Sequence, residues 1–196
     1  MPFGTIMATG WASGLNLYGT ALLIGIAGRL DWAETPDQLQ HGWVLALLAV
    51  LYALEFVVDK VPWLDSVWDA IHTVVRPLGG ALLGVAIAQD AGSAEVAAAV
   101  LGGGFSATAH SAKASTRALV NTSPEPFSNV VLSVGEDGVV AGMVALALAY
   151  PVVAGAAAIV LAIVSVVVTV LLIRSVRRLW ARWKERRAAR SPRGPG

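Results

Sequence analysis

The chain has 196 residues, of which 56% are hydrophobic and 14% charged, whereas a soluble domain usually carries about 25% charged residues. That balance excludes an ordinary soluble domain and points to an all-α, polytopic membrane protein. With no cysteine, disulfides and thiolate metal sites are excluded. The formal net charge of +1 hides an asymmetry, because nine of the fourteen Lys and Arg lie from Arg174 onward.

Thr5 to Leu30 is apolar and long enough to cross about 30 Å of hydrocarbon, so it is predicted as a first membrane helix. It lacks the charged n-region and cleavage site of a signal peptide and is expected to stay in the mature protein. Its middle carries Ser13, Gly14, Asn16, Tyr18, Gly19 and Thr20. Small residues there allow close helix contact and polar ones bond across it; Asn16 and Tyr18 are also candidate ligand-site residues. Asp31 to His41 is an acidic loop with Pro36, and Gly42 to Val58 is a second span containing Glu55.

Asp59 to Pro77 is a polar block that begins with Asp59 and Lys60. Asp65, Asp69, His72 and Arg76 recur at i, i+4, i+7 and i+11, one face of a helix, with Trp68, Ile71 and Val75 assigned to the other. An amphipathic helix at the membrane interface has this pattern. Asp69 and His72, three apart, also suit a metal or a proton. Leu78 to Ala88 is too short to span alone and needs either extension by the preceding segment or shielding by neighbours. Gly92 to Ala109 is a fourth span interrupted by Gly102, Gly103 and Gly104, which mark a contact point or hinge.

His110 to Asp137 concentrates ionisable and helix-breaking residues. His110, Lys113 and Arg117 share one helical face. Asn121 to Pro126 reads as a structured break, since Pro124 and Pro126 lack amide donors and push Ser123 and Glu125 toward extended geometry. Ser128 to Tyr150 is a fifth span that begins with Asn129 and carries Glu136 and Asp137 about 12–14 Å inside it. Val152 to Ile173 is a sixth span without charge. The membrane domain is thus residues 1–173. The basic tail, 174–196, has Trp180 and Trp183 placed for the headgroups, and its Ser-Pro-Arg-Gly-Pro-Gly ending is expected to be disordered.

About six spans are therefore expected, one or two of them broken or re-entrant, with 59–77 and 110–129 the segments in question. Six spans put Lys60, Arg76, Lys113, Arg117 and the tail on one side and only Arg29 on the other, so both termini are expected in the cytoplasm. Ser13-Gly14-Leu15-Asn16 is echoed by Val134-Gly135-Glu136-Asp137, a trace of the internal repeats found in transporters, although the match does not fit a simple three-plus-three order.

A family resemblance rests on Gly14-Leu15-Asn16-Leu17-Tyr18, Glu55 with Asp59-Lys60-Val61-Pro62, Arg76-Pro77, Ala107-Thr108-Ala109-His110 with Lys113, Asn121 with Ser123-Pro124-Glu125-Pro126, and Glu136-Asp137. Together these resemble the bacterial membrane family catalogued as domain of unknown function 4126, over roughly residues 5–175. The resemblance implies a small multi-span helical protein of the bacterial inner membrane. It supplies no catalytic or binding residues.

Three functions compete. The first is a transporter or channel for a small ion or polar solute, because intramembrane ionisable groups mark ion and proton paths. Adjacent Glu136 and Asp137 suit proton-for-cation exchange, and Lys60, Arg76, Lys113 and Arg117 are placed to neutralise them. The second is an intramembrane enzyme. Lys60, Arg76-Pro77 and Ala-Thr-Ala-His110 resemble in part the lysine, Arg-Pro and Pro-Ser-Gly-His elements of phosphatidic-acid-type phosphatases, but Lys60 and Arg76 are sixteen apart and His110 is the last histidine. A metal-dependent version would use Glu55, Asp59, Asp69, His72, His110, Glu136 and Asp137. The third is a structural membrane interaction protein. Transport is the preferred reading. Its candidate site is Asn16, Tyr18, Glu55, Asp59, Lys60, Asp69, His72, Arg76, His110, Lys113, Arg117, Asn121, Glu125, Asn129, Glu136 and Asp137. No cofactor is expected, although a divalent cation is compatible. The expected partners are the lipid bilayer, the solute and a second copy of the chain, with no nucleic acid.

Overall fold

The structure is a computed structural model that describes residues 2–91, 94–120 and 126–190. In chain order the helices are α1 (Pro2–Leu15), α2 (Leu17–Arg29), α3 (Asp37–Gln40), α4 (Gly42–Val58), α5 (Pro62–Asp90), α6 (Glu95–Val120), α7 (Pro126–Ala149) and α8 (Pro151–Arg190). Among the described residues every regular element is helical. Prolines open α5, α7 and α8, where a missing N–H costs no helical bond. Asn121 to Glu125, the core of the expected break, lies outside the described residues, as does the Ser191–Gly196 ending.

Apolar length makes this a membrane protein. Trp63–Gln89, Asn129–Ala149 and Pro151–Lys184 are long and apolar enough to cross a bilayer, and Leu17–Arg29 and Gly42–Val58 are shorter apolar helices. The polarity is inverted relative to a soluble protein. On α5, Val67, Ile71, Val74, Leu78 and Leu82 are 55–70% exposed, whereas Asp65 and Arg76 are 0% exposed. The polar stripe of 59–77 therefore turns into the bundle instead of lying on the interface. Its residues from Pro62 onward are the first half of one long helix that continues through 78–88 and is long and apolar enough to cross a bilayer. Likewise 110–120 continues α6 without interruption at the three glycines.

Glycines set the centre of the bundle. A Cβ added to Gly10 of α1 would sit 2.7 Å from the Gly102 carbonyl oxygen of α6, and one on Gly102 would collide with the Gly80 carbonyl of α5. The triple glycine is thus a contact point through Gly102, while nothing lies within 4 Å of a Cβ on Gly104. Gly14 meets Ser106 four residues further along both helices, and Ile6 packs with Ala98. Hence α1 runs parallel to α6 and antiparallel to α5.

The expected first span is not one helix. At Asn16 (φ −146°, ψ 102°) the chain is extended, and α1 gives way to α2. The chain reverses there. The start of α1 sits against Pro151 at the beginning of α8, and Thr5 Oγ1 donates to the Ala147 carbonyl at 3.3 Å. Running back, α2 brings Gly19 against Tyr52 and Gly25 against Leu45 of α4. A cavity of about 430 Å³ is lined together by Pro2, Trp32, Ala91 and Pro151, so the beginning of α1 and the end of α2 share one end of the bundle. At about 1.5 Å per residue, helices of 14 and 13 residues reach about 20 Å, short of a full crossing. Together α1 and α2 form a helical hairpin with its tip at Asn16. Gly4 lies beside the start of the 40-residue α8, so residues 2 and 190 are at opposite ends of the bundle.

Candidate functional site

Four helices and the hairpin tip turn their polar positions to one place. Glu55 comes from α4 and Asp59 from the residue that caps it; from α5 come Asp65, Asp69, His72 and Arg76, and from α6 His110, Lys113 and Arg117, all buried. On α7, Glu136 and Asp137 complete the set with partial burial. Arg76 is fourteen residues from each end of α5 (62 to 76 and 76 to 90), about 21 Å from either end of the helix.

Three cations organise the site. Arg76 donates to Glu55 through Nη2 and to Asp69 Oδ1 (3.2 Å) through Nη1, which also reaches His110 Nδ1 (2.7 Å). Lys113 Nζ lies 2.8 Å from Asp59 Oδ2, 3.4 Å from Glu136 Oε2 and 3.7 Å from Glu55 Oε1. Arg117 grips Glu136 through Nη2 (2.7 Å) and Nε (3.5 Å), donates through Nη1 to the Asp59 carbonyl (2.9 Å), and approaches Asp65 Oδ1 at 3.8 Å.

The hairpin tip contributes backbone. Asn16 Oδ1 caps α2 by accepting from Gly19 N at 2.8 Å, a bond that in an unbroken helix would go to the Leu15 carbonyl. The released carbonyls at the end of α1 take cations: Leu15 O accepts from Lys113 Nζ (3.0 Å) and Gly14 O from Arg76 Nη1 (3.4 Å). The negative end of the α1 dipole therefore faces two positive charges.

Hydrogen bonding fixes the histidine tautomers. An arginine N–H only donates, so His110 Nδ1 accepts and its Nε2–H donates to Thr73 Oγ1 (3.2 Å), whose hydroxyl donates to the Asp69 carbonyl (2.9 Å). His72 Nδ1–H donates to the Trp68 carbonyl (2.8 Å), and Tyr18 OH donates to its Nε2 (3.1 Å). Trp68 stacks on His72 with centroids 4.5 Å apart, so it flanks the polar stripe and not the opposite face. Both nitrogens of each ring are occupied within the protein, which leaves neither placed as a nucleophile.

Among the described residues charge does not balance: five carboxylates, Glu55, Asp59, Asp65, Asp69 and Glu136, form ion pairs with three cations. Buried oxygens of Glu55 (Oε2), Asp59 (Oδ1) and Asp69 (Oδ2) have no hydrogen-bond partner among the described residues. Asp137 takes uncharged partners, Asn16 Nδ2 (3.0 Å) and Tyr52 OH (3.3 Å). Beside the network, a cavity of about 180 Å³ between α5 and α6 is lined by Ser66, Asp69, Thr73 and Arg117, among others.

A family model described as Domain of unknown function (DUF4126) matches residues 3–171. The chain belongs to the DUF4126 family. The match spans the whole network of this DUF4126 chain, from Asn16 to Asp137. No curated protein and no solved structure matches the chain.

Of the residues singled out from sequence in this DUF4126 chain, Asn16, Tyr18, Glu55, Asp59, Asp69, His72, Arg76, His110, Lys113, Arg117, Glu136 and Asp137 converge, and Asn129 is buried on α7. Asn121 and Glu125 lie outside the described residues. Lys60 points elsewhere: Nζ donates to the Phe56 carbonyl at 2.7 Å and lies over the Phe56 ring, and partial burial lowers its pKa from the ordinary lysine value. Glu136 and Asp137 do not act as a pair. Consecutive helical residues point about 100° apart, which gives Glu136 to Arg117 and Lys113 and Asp137 to Asn16 and Tyr52. The set proposed for a metal does not assemble as one, since no group of three or more His, Asp or Glu suited to a metal ion occurs among the described residues as they stand, with Lys113 and the two arginines in place. Sequence reasoning missed Tyr52, Thr73 and the Gly14 and Leu15 carbonyls, and it left Asp65 out of the candidate site although Arg117 approaches it. Asp65 was findable, because it shares the α5 stripe with Asp69, His72 and Arg76.

Proposed function

We propose that this chain is a transporter for a small ion, with a cation as its cargo or coupling ion, working through the charge network at the hairpin tip. The observation that carries this reading is that, among the described residues, five ion-paired carboxylates face three cations in a largely buried network. Uncompensated buried charge is costly, so the network takes up protons or metal cations to balance it. Groups that must gain and lose positive charge inside a membrane are the machinery of ion movement. A helix broken at mid-depth, with its carbonyls turned to cations, is how many transporters build an ion site. The cavity beside Asp69 and Arg117 supplies the access route from the α5–α6 side.

The topology in this reading is five crossings, α4 to α8, plus the re-entrant hairpin, in place of six spans. Arg76, Lys113 and Arg117 are buried and do not count toward sidedness. Lys60 and the nine basic tail residues still outweigh Arg29, which puts the tail in the cytoplasm and the N-terminus across a bacterial inner membrane.

The test is charge movement by reconstituted protein on a solid-supported membrane after jumps in proton, sodium, potassium or ammonium concentration. Wild type is expected to give a current with at least one of the four, lost in folded Glu55→Gln and Glu136→Gln. A wild-type current equal to that of protein-free liposomes for all four ions, or full current in both variants, would remove the proposal.

A further inference from the structure

The surroundings of Lys113 resemble an ion site more than a simple salt bridge. Its ammonium is 3% or less exposed and meets oxygens of four residues from three segments: the Leu15 carbonyl (3.0 Å) of the hairpin tip, Glu55 (3.7 Å) of α4 and Asp59 (2.8 Å) at its end, and Glu136 (3.4 Å) of α7. Leu15 O is available only because Asn16 captures the Gly19 amide. Two of the surrounding carboxylates, Glu55 and Asp59, each keep a second buried oxygen without a hydrogen-bond partner among the described residues. The cage thus has oxygen capacity beyond what the lysine uses.

We infer that the Lys113 ammonium is a tethered occupant of a monovalent-cation site built from Leu15 O, Glu55, Asp59 and Glu136, and that potassium or ammonium is the ion it excludes. Size selects the class. The two nearest contacts, 2.8 and 3.0 Å, are longer than the roughly 2.0–2.6 Å that magnesium and calcium require. A backbone carbonyl among the ligands suits an ion that exchanges its hydration shell for carbonyl oxygens. For a free ion to enter, the positive charge of Lys113 must leave, either as a proton released from Nζ or by the side chain turning out of the cage. This inference deepens the transport reading by naming the ion class, and it rests on that reading for its role though not for the existence of the site.

The experiment uses the full chain in detergent, with thermal unfolding followed in potassium, ammonium, sodium or choline chloride at equal ionic strength. Lys113→Ala and Lys113→Gln are expected to gain a potassium- and ammonium-dependent midpoint, rising about 4 °C per tenfold concentration above the dissociation constant. Wild type and Lys60→Ala, whose lysine lies outside the cage, are expected to show no difference between potassium and choline. The same midpoint for the Lys113 variants in potassium and choline would overturn the inference, and so would an equal potassium response in wild type. Failure of both variants to fold in every salt would also overturn it, because an ion able to occupy the cage restores the lost charge. Potassium binding by Lys113→Ala in a chain that moves no ion would leave the site standing and remove only the transport reading.

Discussion

Arg76→Met is the sharpest perturbation of the network. Arg76 is fully buried, and its guanidinium holds Glu55, which is also 0% exposed, together with Asp69 and the His110 ring. Methionine keeps much of the side-chain volume but leaves Glu55 with only the Lys113 contact at 3.7 Å. Removing one member of a buried ion pair costs about 3–5 kcal/mol, because the other charge stays behind without compensation. For a chain of this size that corresponds to a fall in Tm of about 10 °C. Neutralising the partner as well should restore part of the loss, so Arg76→Met/Glu55→Gln is expected to be more stable than the sum of the single changes by about 2 kcal/mol. The assay is thermal unfolding in detergent read from the fluorescence of the seven tryptophans. A single variant within about 1 kcal/mol of wild type, with an additive double mutant, would show that this arginine is not held in a buried ion pair.

Other changes probe the surrounding parts. Asn16→Ala removes the cap on Gly19 N and the bond to Asp137, and is expected to cost about 1–2 kcal/mol in the same assay; no loss would argue that the hairpin tip is not closed by this side chain. Gly102→Ala drives a methyl into the Gly80 carbonyl and should lower Tm or abolish folding, whereas Gly104→Ala, with nothing within 4 Å, should be neutral or mildly stabilising. Tyr18→Phe leaves His72 Nε2 without its donor and is expected to destabilise by about 1 kcal/mol; a neutral result would mean that another donor reaches the ring.

The network was more legible than the path of the chain around it. Asp65, Asp69, His72 and Arg76 on one helix and His110, Lys113 and Arg117 on another present stripes of complementary charge, and each stripe is readable from helical spacing alone. Periodicity fixes which face of 59–77 is polar but not what that face meets. An interfacial helix and a buried one share the same pattern, and the choice is made by the partner stripe on α6. The hairpin left less trace. Leu15 and Leu17 flank a single extended residue, no proline marks the reversal, and the apolar run from Thr5 to Leu30 has the length of one span. Only Asn16, a preferred helix cap placed three residues before Gly19, hints at a new helix start. The reversal puts residues 2 and 190 at opposite ends of the bundle, where six unbroken spans would put them at the same end. The echo between Ser13–Asn16 and Val134–Asp137 does bring Asn16 and Asp137 into contact, yet α7 runs unbroken through its copy.

The proposed site is built on the hairpin tip, where the released Gly14 and Leu15 carbonyls meet buried Arg76 and Lys113, and in the proposed topology that hairpin is re-entrant. Because the chain has no cysteine, Phe3→Cys and Trp180→Cys each create a single reactive thiol at an exposed position. Labelling with a membrane-impermeant maleimide in sealed vesicles of known orientation reads the side of each. Modification of the two positions from opposite faces is the expected result; modification of both from the same face would mean that residues 2–29 cross the membrane once and would contradict the hairpin.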